Sequence, residues 1–182
     1  MRRSIGGALA QGEHVHLRHP GARDREEFLE AVRRSRRLHG SWVEPPGDEE
    51  AFAAYLHRLR QANAHGFLVR SNDDGSLAGA ITISQIVLGP FRSGYLGYYA
   101  FEPHAGRGLM REGLDLTVRF AFGTLGLHRL EANVQPGNAA SIGLVRRCGF
   151  RLEGLSPRYL KVAGRWRDHE RWAITREDWT GR

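Results

Sequence analysis

The sequence predicts a single α/β domain in which helices flank a mixed central sheet of about seven strands. The chain has 182 residues, 41% of them apolar, which is enough to bury one substantial core and too few for two ordinary domains. The spacing of the apolar residues changes repeatedly between alternation and helical spacing, so strands and helices are interleaved. No internal repeat is present, which excludes a repeat architecture.

In the N-terminal half, strands are predicted from alternation and helices from apolar residues three and four positions apart. Residues 1–12 are expected to be a flexible N-terminus and residues 13–182 the folded domain. Asp48-Glu49-Glu50 supplies an acidic first turn that suits the positive end of a helix dipole. The elements predicted here are a strand around Val15 and Leu17, helices at 23–38 and 48–62, and a hairpin of 67–69 with 77–87.

In the C-terminal half, strand and helix alternate twice before a closing hairpin. The helix after the first of these strands carries Leu109, Leu114, Val118 and Phe122 at helical spacing as its buried stripe. The elements predicted here are strands at 95–101 and 128–134, helices at 107–122 and 138–147, a strand beginning at Phe150, and a hairpin of 159–162 with 166–174.

Arginine gives the chain a strongly basic charge balance. It has 27 basic and 20 acidic side chains, a net charge of +7, and Lys161 is its only lysine. Arginine pairs with phosphate through a planar fork of donors, so an anionic partner is predicted, either nucleic acid or a small polyphosphate. The four arginines within 33–37 are interpreted instead as a solvated surface, as most charge runs are.

Cysteine and histidine usage argues against two other classes of protein. Cys148 is the only cysteine, which excludes an internal disulfide framework and a multi-thiolate zinc site. The nine histidines show no metal-binding spacing, so no metal is expected. No apolar run approaches the roughly 20 residues needed to cross a bilayer. We therefore expect a soluble cytoplasmic protein that has no membrane partner.

Gly106-Arg107-Gly108 forms the strongest local motif, a glycine-containing turn between a strand and a helix. Glycines there let phosphate oxygens approach backbone N–H groups, and the following helix directs its unpaired N-terminal donors at the anion. A Walker loop is excluded because no Gly-Lys-Ser or Gly-Lys-Thr follows. A dinucleotide fold is disfavoured because Arg111 stands where a third glycine belongs. A tight turn without a ligand is the alternative.

A second motif opens the next helix. Asn138 suits the N-cap position, and Ser141 projects from the first turn near the donor-rich helix end. Capping explains Asn138 alone. It does not explain the whole order of strand, Gly-x-Gly, helix, strand, Asn-x-x-Ser, helix and Cys148-Gly149-Phe150.

This order resembles the GCN5-related N-acetyltransferase (GNAT) superfamily, and within it the RimJ/RimL-like branch of ribosomal-protein N-terminal (alanine/serine) acetyltransferases. The resemblance covers nearly the whole chain, from the strand at Val15 to Trp179. The matching segments are Leu96-Gly97-Tyr98, residues 106–110, residues 128–134, Asn138 with Ser141, Gly149-Phe150 with Leu152-Glu153-Gly154, and residues 164–169.

The resemblance implies that acetyl-CoA binds as co-substrate in a split between the strands at 95–101 and 128–134. Main chain would hold the pantetheine, the glycine turn the pyrophosphate, and polar side chains the other side of the coenzyme. The implied binding residues are Tyr98, Tyr99, Ala100 and Phe101, then Gly106, Arg107, Gly108, Leu109 and Met110, and finally Asn133, Asn138 and Ser141. Ala105 and Met110 depart from the residues common in the family, which leaves side-chain contacts to the pyrophosphate open.

Amide formation from a thioester requires a free amine, an oxyanion donor and a proton for the departing thiolate. Glu131 lies on the polar face of its strand with Arg129 and Asn133. The resemblance implies that Glu131 is catalytic and helps to deprotonate the amine. An ion pair with Arg129 or Arg151 is the alternative.

Ser141 is the second implied catalytic residue. The tyrosine that commonly protonates the thiolate in the family is absent near Val145, and the resemblance implies that Ser141 replaces it. Orientation of the thioester sulfur by Ser141 is an equally open role. The oxyanion donor is expected to be a main-chain N–H near Tyr99.

Three other features receive structural interpretations. Asp168 and His169 are adjacent on a strand and face opposite sides, so they cannot form a catalytic pair, and Asp168 is interpreted as structural. Trp42 either borders the acceptor groove or fills the core. Tyr98 and Tyr99 are expected to be one core residue and one site residue.

The resemblance implies an N-acetyltransferase whose acceptor is the N-terminal α-amine of a protein, a ribosomal protein in particular. Two alternatives stay open: acetylation of a small amine such as a polyamine or an aminoglycoside, and a CoA-binding or RNA-associated module without turnover. Contact with nucleic acid is expected only through the ribosome. Formation of a homodimer is a further open alternative.

Overall fold

A computed structural model describes residues 7–181 as an eight-stranded sheet with helices on both faces. The strands are β1 (Ala10–Gln11), β2 (Val15–Arg18), β3 (His65–Ser71), β4 (Leu77–Val87), β5 (Ser93–Ala100), β6 (Arg129–Val134), β7 (Arg151–Val162) and β8 (Arg165–Thr175). The helices are α1 (Arg25–Arg34), α2 (Arg36–His39), α3 (Glu49–Leu59), α4 (Leu109–Gly123) and α5 (Ala139–Arg147), and a short 3-10 turn at Ala22–Asp24 precedes α1.

The sheet has the order β1-β2-β3-β4-β5-β6-β8-β7, and all neighbours are antiparallel except β5 and β6. The predicted α/β fold is confirmed, with eight strands for the expected seven or so. The strands predicted from Phe150 and at 159–162 are one strand, β7. The additional strand is β1, which pairs with β2, so part of the segment expected to be flexible belongs to the sheet. Residues 1–6 of that segment lie outside the described residues.

Two hydrophobic cores lie on opposite faces of the sheet. Helices α4 and α5 cover one face, where Leu114 packs in the same buried cluster as Leu130 of β6. Helices α1 and α3 cover the other face, where the rings of Phe28 and Phe52 lie 4.8 Å apart beside Phe101. Since both faces are covered, any ligand that reaches the centre of the sheet must enter through an opening between strands.

The helix predicted at 23–38 is instead two helices that meet at Ser35. Ser35 leaves helical geometry, with φ −94° and ψ 9°. Its fully buried hydroxyl accepts a hydrogen bond from the N–H of Glu102 at 2.9 Å. Because this bond ties the break to the segment after β5, α2 lies against β5, and Nε2 of His39 comes within 2.8 Å of the Ala100 carbonyl oxygen. Helical periodicity alone does not reveal such a break.

Strands β5 and β6 pair along only part of their length. Their parallel pairing joins Ser93 through Leu96 to Arg129 through Ala132 and ends there. Beyond it, β5 continues to pair with β4, and β6 continues to pair with β8. The sheet is therefore split between the C-terminal ends of β5 and β6, which are the two strands between which a split was expected.

Candidate active site

A cavity of about 1150 Å³ opens at the split and extends to the N-terminus of α4. Phe101, Arg107, Leu109 and Glu131, all predicted site residues, lie outside its lining: Phe101 is fully buried, Leu109 packs on the core, and Arg107 is exposed. Nine predicted donor-site residues do line the cavity: Tyr98, Tyr99, Ala100, Gly106, Gly108, Met110, Asn133, Asn138 and Ser141.

The turn before α4 leaves backbone donors open toward the cavity. Gly106 and Gly108 have φ angles of +77° and +85°, which favour glycine, and a Cβ at either would meet no atom within 4 Å. Gly108 is the N-cap of α4, and no side chain caps the first N–H groups of the helix. Open space, free backbone donors and a helix N-terminus together suit phosphate oxygens.

Met110 packs the start of α4 against the sheet. Its sulfur lies over Gly79 of β4, where an added Cβ would be only 2.2 Å from Sδ. A long, flexible side chain at position 110 therefore fills the space that Gly79 leaves, which gives a packing reason for the departure from the usual small residue.

A chain of hydrogen bonds holds Arg107 beside the turn. The Ser76 hydroxyl donates to Oδ1 of Asp74 at 2.6 Å and accepts from Nε2 of His104 at 2.9 Å. The other ring nitrogen, Nδ1, is then an acceptor, and Nη1 of Arg107 lies 3.4 Å from it. Both nitrogens of His104 are thus occupied, and the guanidinium of Arg107 stays near the glycine turn.

The hydroxyl groups of Tyr98 and Ser141 meet at the split. The N–H of Ser141 donates to Oδ1 of Asn138 at 3.1 Å, so Asn138 caps α5 as predicted. Burial raises the pKa of Tyr98 well above its ordinary value, and the hydrogen bond to Ser141 offsets only part of that effect. Tyr98 therefore stays protonated and can donate to Ser141, which leaves the serine proton free to face the cavity.

The alternation of β5 decides which main-chain groups face the split. The N–H of Phe101 donates to a β4 carbonyl at 2.8 Å, so Tyr99 and Phe101 direct their backbone groups to β4. Tyr98 and Ala100 direct theirs to the split, where His39 already donates to the Ala100 carbonyl. The open groups are the N–H and C=O of Tyr98 and the N–H of Ala100. The main-chain N–H expected to stabilise the oxyanion near Tyr99 would therefore belong to Tyr98 or Ala100, because the N–H of Tyr99 faces β4.

Tyr99 lies mainly in the second core. Its ring makes edge contacts with Phe28, His39 and Phe101 at centroid distances of 5.6 to 6.3 Å. Burial raises the pKa of Tyr99 well above its ordinary value. Tyr99 is thus the core residue of the pair and Tyr98 the residue whose hydroxyl reaches the site.

The carboxylate of Glu131 is held between two guanidinium groups. Oε1 accepts from Nε of Arg129 at 3.1 Å, and Oε2 accepts from Nη2 of Arg171 at 2.8 Å. The residue is only 9% exposed. The alternative ion pair with Arg129 therefore exists, whereas Arg151 pairs with Asp178 and contacts no oxygen of Glu131 within 4 Å. The catalytic role of Glu131 stays a prediction.

His169 is a lining residue that sequence reasoning set aside. It is 3% exposed, and its ring lies 6.4 Å from that of Tyr159, which also lines the cavity. Asp168 faces the other way and accepts from the N–H of Arg158 at 2.7 Å, consistent with a structural role. Strand alternation predicts that positions 168 and 169 face apart, but not which of them reaches the cavity.

Trp42 forms a wall of the cavity. It is 38% exposed, and a Cβ on Gly137 would lie 3.1 Å from its ring. Nε2 of Gln135 donates to the carbonyls of Ser41 and Trp42 at 3.3 and 3.2 Å. These contacts fix the loop between α2 and α3 against the turn after β6, so Trp42 borders the site and does not fill the core.

Across residues 7–181, the cavity lining contains basic and neutral side chains but no aspartate or glutamate. Arg37, Arg111 and Arg147 contribute the guanidinium groups. Oδ1 of Asn133 is buried and has no hydrogen-bond partner among the described residues. Because an unpaired buried acceptor is costly, this oxygen suits a ligand that donates a hydrogen bond. An anionic ligand with amide N–H groups, such as CoA, fits both features.

The described part of the chain shows neither a metal-ion site nor a membrane-spanning helix. Between residues 7 and 181, no three His, Cys, Asp or Glu side chains come together in a way that could hold a metal ion. No helix in that range combines the length and apolar character needed to cross a bilayer.

Comparisons with known proteins agree with this geometry. Residues 14–151 match a family model described as an acetyltransferase (GNAT) domain. The chain is 38% identical over 121 residues to the [ribosomal protein uS5]-alanine N-acetyltransferase of Escherichia coli, a match spanning 66% of this chain and 62% of that one. It is 33% identical over 132 residues to the L-methionine sulfoximine/L-methionine sulfone acetyltransferase of Pseudomonas aeruginosa, spanning 70% and 74% respectively.

Among solved structures, Mycobacterium smegmatis RimJ in complex with CoA-disulfide superposes with a TM-score of 0.81. The two proteins are 29% identical, and the match covers 90% of this chain and 82% of that one.

Proposed function

The chain belongs to the acetyltransferase (GNAT) family, and on that basis we propose that it acetylates the N-terminal α-amine of a protein, with ribosomal proteins as the acceptor class. The family expected from the sequence motifs is confirmed. The protein is a GNAT N-acetyltransferase with acetyl-CoA as co-substrate. The observation that carries the proposal is the split sheet, whose single cavity joins the glycine turn to the Tyr98–Ser141 pair.

Acetyl-CoA supplies the thioester and the phosphate groups. We assign the pyrophosphate to the backbone donors around Gly106 and Gly108, with Arg111 nearby in the lining. The open carbonyl of Tyr98 and the unpaired oxygen of Asn133 can accept hydrogen bonds from the amide N–H groups of the pantetheine arm.

The proton donor and the acceptor amine are assigned to opposite faces of the sheet. Ser141 and Tyr98 reach the cavity from the side of α5, and Ser141 is placed to give its proton to the departing sulfur. The N–H groups of Tyr98 and Ala100 can stabilise negative charge on the carbonyl oxygen. Asn133 and its neighbours on β8 face the opposite side of the sheet, from which the acceptor amine would approach.

The charge of the lining argues against a polyamine or aminoglycoside acceptor. These compounds carry several positive charges, which acidic side chains normally balance in a binding site. The described cavity lining offers none and adds arginines such as Arg37. A protein N-terminus brings at most one charge to the reacting centre and loses it before reaction.

A second candidate acceptor is a small molecule with a single amine. It is favoured by the 33% identity to the enzyme named for L-methionine sulfoximine and L-methionine sulfone. Such a molecule needs the same groups around its reacting nitrogen as a protein N-terminus does. Unlike a protein, it needs no binding groove outside the cavity.

Incubation of the full chain with acetyl-CoA and a panel of acceptors tests these proposals. The panel contains a peptide with a free Ala start, spermidine and L-methionine sulfone, with thiol release and product mass as readouts. Acetylation of the peptide terminus supports the proposed acceptor, whereas turnover with only a small amine overturns it. Salt-sensitive RNA binding without thiol release from any acceptor would identify a non-catalytic module.

A further inference from the structure

We propose that His169 is the general base of this enzyme, with Nε2 of its imidazole accepting a proton from the acceptor's ammonium group. The inference rests on the proposed acetyl transfer and names a residue that is not among the catalytic residues predicted from the sequence. It is carried by the hydrogen bonding of the ring, by its position at the cavity and by the absence of acidic side chains from the described lining.

The hydrogen bond at Nδ1 fixes the tautomer of His169. Nδ1 lies 3.0 Å from the carbonyl oxygen of Arg167. A carbonyl oxygen can only accept, so Nδ1 carries the hydrogen of the neutral ring, and Nε2 keeps a free lone pair. Within residues 7–181, no hydrogen bond to Nε2 occurs. The ring is thus held by one nitrogen and available as a base through the other.

The register of β8 places His169 beside the reacting part of the cavity. Arg171, two residues along the strand, pairs with Asn133 of β6, so His169 shares the face of the sheet on which Asn133 lies. The ring is almost fully buried and lines the cavity together with Tyr159. It therefore reaches the site from the side opposite Ser141, where an incoming amine would be.

Two other histidines line the cavity, and both are less suited to the role. His104 uses both ring nitrogens in the chain that leads to Arg107. His39 donates from Nε2 to the Ala100 carbonyl, and burial lowers its pKa. Its ring is packed against Tyr99, on the β5 side of the split. Glu131 lies outside the lining with both oxygens bound by guanidinium groups.

The proton balance of the step is complete. Nε2 of His169 takes one proton from the ammonium group, which frees the nitrogen lone pair to form the C–N bond. The C–S bond breaks, its electron pair leaves on sulfur, and the sulfur takes the hydroxyl proton of Ser141. The acylated nitrogen loses a second proton, which restores Ser141, and the imidazolium releases its proton to solvent. An ammonium and a thioester thus become an amide, a thiol and one proton.

Charged or titratable groups lie beside this ring, along its face of the sheet or elsewhere in the cavity lining, and can shape the pH dependence of the reaction. For that reason, the test compares each variant with wild type at the same pH and does not depend on the pH–rate profile of one protein alone. The groups are Tyr159 from β7, Arg167 and Arg171 from β8, Tyr95 from β5, Glu131 from β6, and Arg37 from α2.

The experiment measures kcat/KM of wild type and His169→Asn for a peptide with a free Ala start, at about pH 6.5 and about pH 9. Asparagine retains an N–H that can donate to the Arg167 carbonyl but offers no base. We expect a loss of about 100-fold at the lower pH that shrinks to a few-fold at the higher pH, where the α-amine is already neutral. His57→Asn, an exposed histidine on α3, serves as the matched control and should behave as wild type.

The outcomes separate the two proposals. A wild-type enzyme without activity on any acceptor overturns the proposed function, whereas an active wild type with an equally active His169→Asn overturns only the base. An equal loss at both pH values also overturns the base, as does a pH-dependent loss in His39→Asn without one in His169→Asn. If His169→Asn does not fold, recovery of His169→Ala by added imidazole supports the base, and a folded variant without recovery contradicts it.

Discussion

The hydroxyl of Tyr98 on β5 lies 2.7 Å from the hydroxyl of Ser141 on α5, so one hydrogen bond spans the open side of the split sheet. With Tyr98 protonated, its hydroxyl can donate to Ser141, which leaves the serine proton for the cavity. Neither group is a strong acid alone. Together they place a hydrogen-bond donor where negative charge develops on the departing sulfur.

Ser141→Ala should lower kcat by about 100-fold, the range typical of a lost proton donor, with little change in acetyl-CoA affinity. Tyr98→Phe should give a smaller loss, since Ser141 keeps its proton and loses only its orientation. Steady-state kinetics and calorimetry with acetyl-CoA measure the two effects separately. Full turnover by Ser141→Ala would mean that the sulfur takes its proton from elsewhere.

Gly108→Val should abolish measurable acetyl-CoA binding while the domain stays folded. The side chain would fill the open space beside the turn, and the positive φ adds about 1–2 kcal/mol of backbone strain. Gly164→Val is the matched control, because Gly164 has a φ of +73°, equally open surroundings and a position in the β7–β8 turn. Equal donor affinity in the two variants would remove the glycine turn from the binding site.

Glu131→Gln distinguishes the two candidate bases: with His169 as the base, turnover of the folded variant should stay near wild type, whereas a catalytic Glu131 would make it fall. In either case the substitution should destabilise the fold by about 1–3 kcal/mol. Glutamine keeps only one acceptor oxygen, so only one of Arg129 and Arg171 can retain its partner at position 131. Glu153→Gln is the control, because it removes the other carboxylate from Arg129 and leaves both contacts of Glu131 intact. If the two variants turn over equally, Glu131 is a structural ion-pair partner and the predicted base is wrong.

Much of the candidate donor site could be predicted from the sequence, because its turn and its helix cap depend on residues that are close together in the chain. A glycine turn before a helix and an Asn at an N-cap depend on neighbouring residues, and the structure shows both at the cavity. The contact between Tyr98 and Ser141 could not be predicted, since it depends on how α5 packs against β5. The exposure of His169 to the cavity depends likewise on where β6 and β5 separate.

The stability of the N-terminal region should decrease at low pH because of Asp24. Burial alone would raise the pKa of this carboxyl, but hydrogen bonds from Arg18 and from the N–H of Gly21 lower it below the ordinary value. A lowered folded-state pKa gives stability that is complete above the unfolded value of about 3.9 and is lost as pH falls through the folded value.

Asp24→Asn should therefore cost about 2 kcal/mol of unfolding free energy at neutral pH, and the difference from wild type should narrow below about pH 4. Glu30→Gln is the control, because its exposed pair with Arg33 should contribute less than about 1 kcal/mol. Urea unfolding at several pH values measures both. A constant difference for Asp24→Asn across the range would contradict the assigned ionisation.

The last prediction is that an α-amine is acetylated in preference to a lysine side chain. An α-amino group titrates near about 7.7–8.0 and lysine near about 10.4, so freeing the lysine amine at neutral pH costs about 3.4 kcal/mol more. The described lining holds no carboxylate to help with that cost, and the free Nε2 of His169 suits the smaller task. The guanidinium groups at the cavity also do nothing to favour the entry of a long cationic side chain.

Competition between peptides with a free Ala or Ser start and the same peptides blocked at the terminus but carrying lysine measures the preference directly. A faster reaction of the blocked, lysine-bearing peptides would show that the site removes the lysine proton by a means other than the groups named above, and the acceptor class would have to be revised.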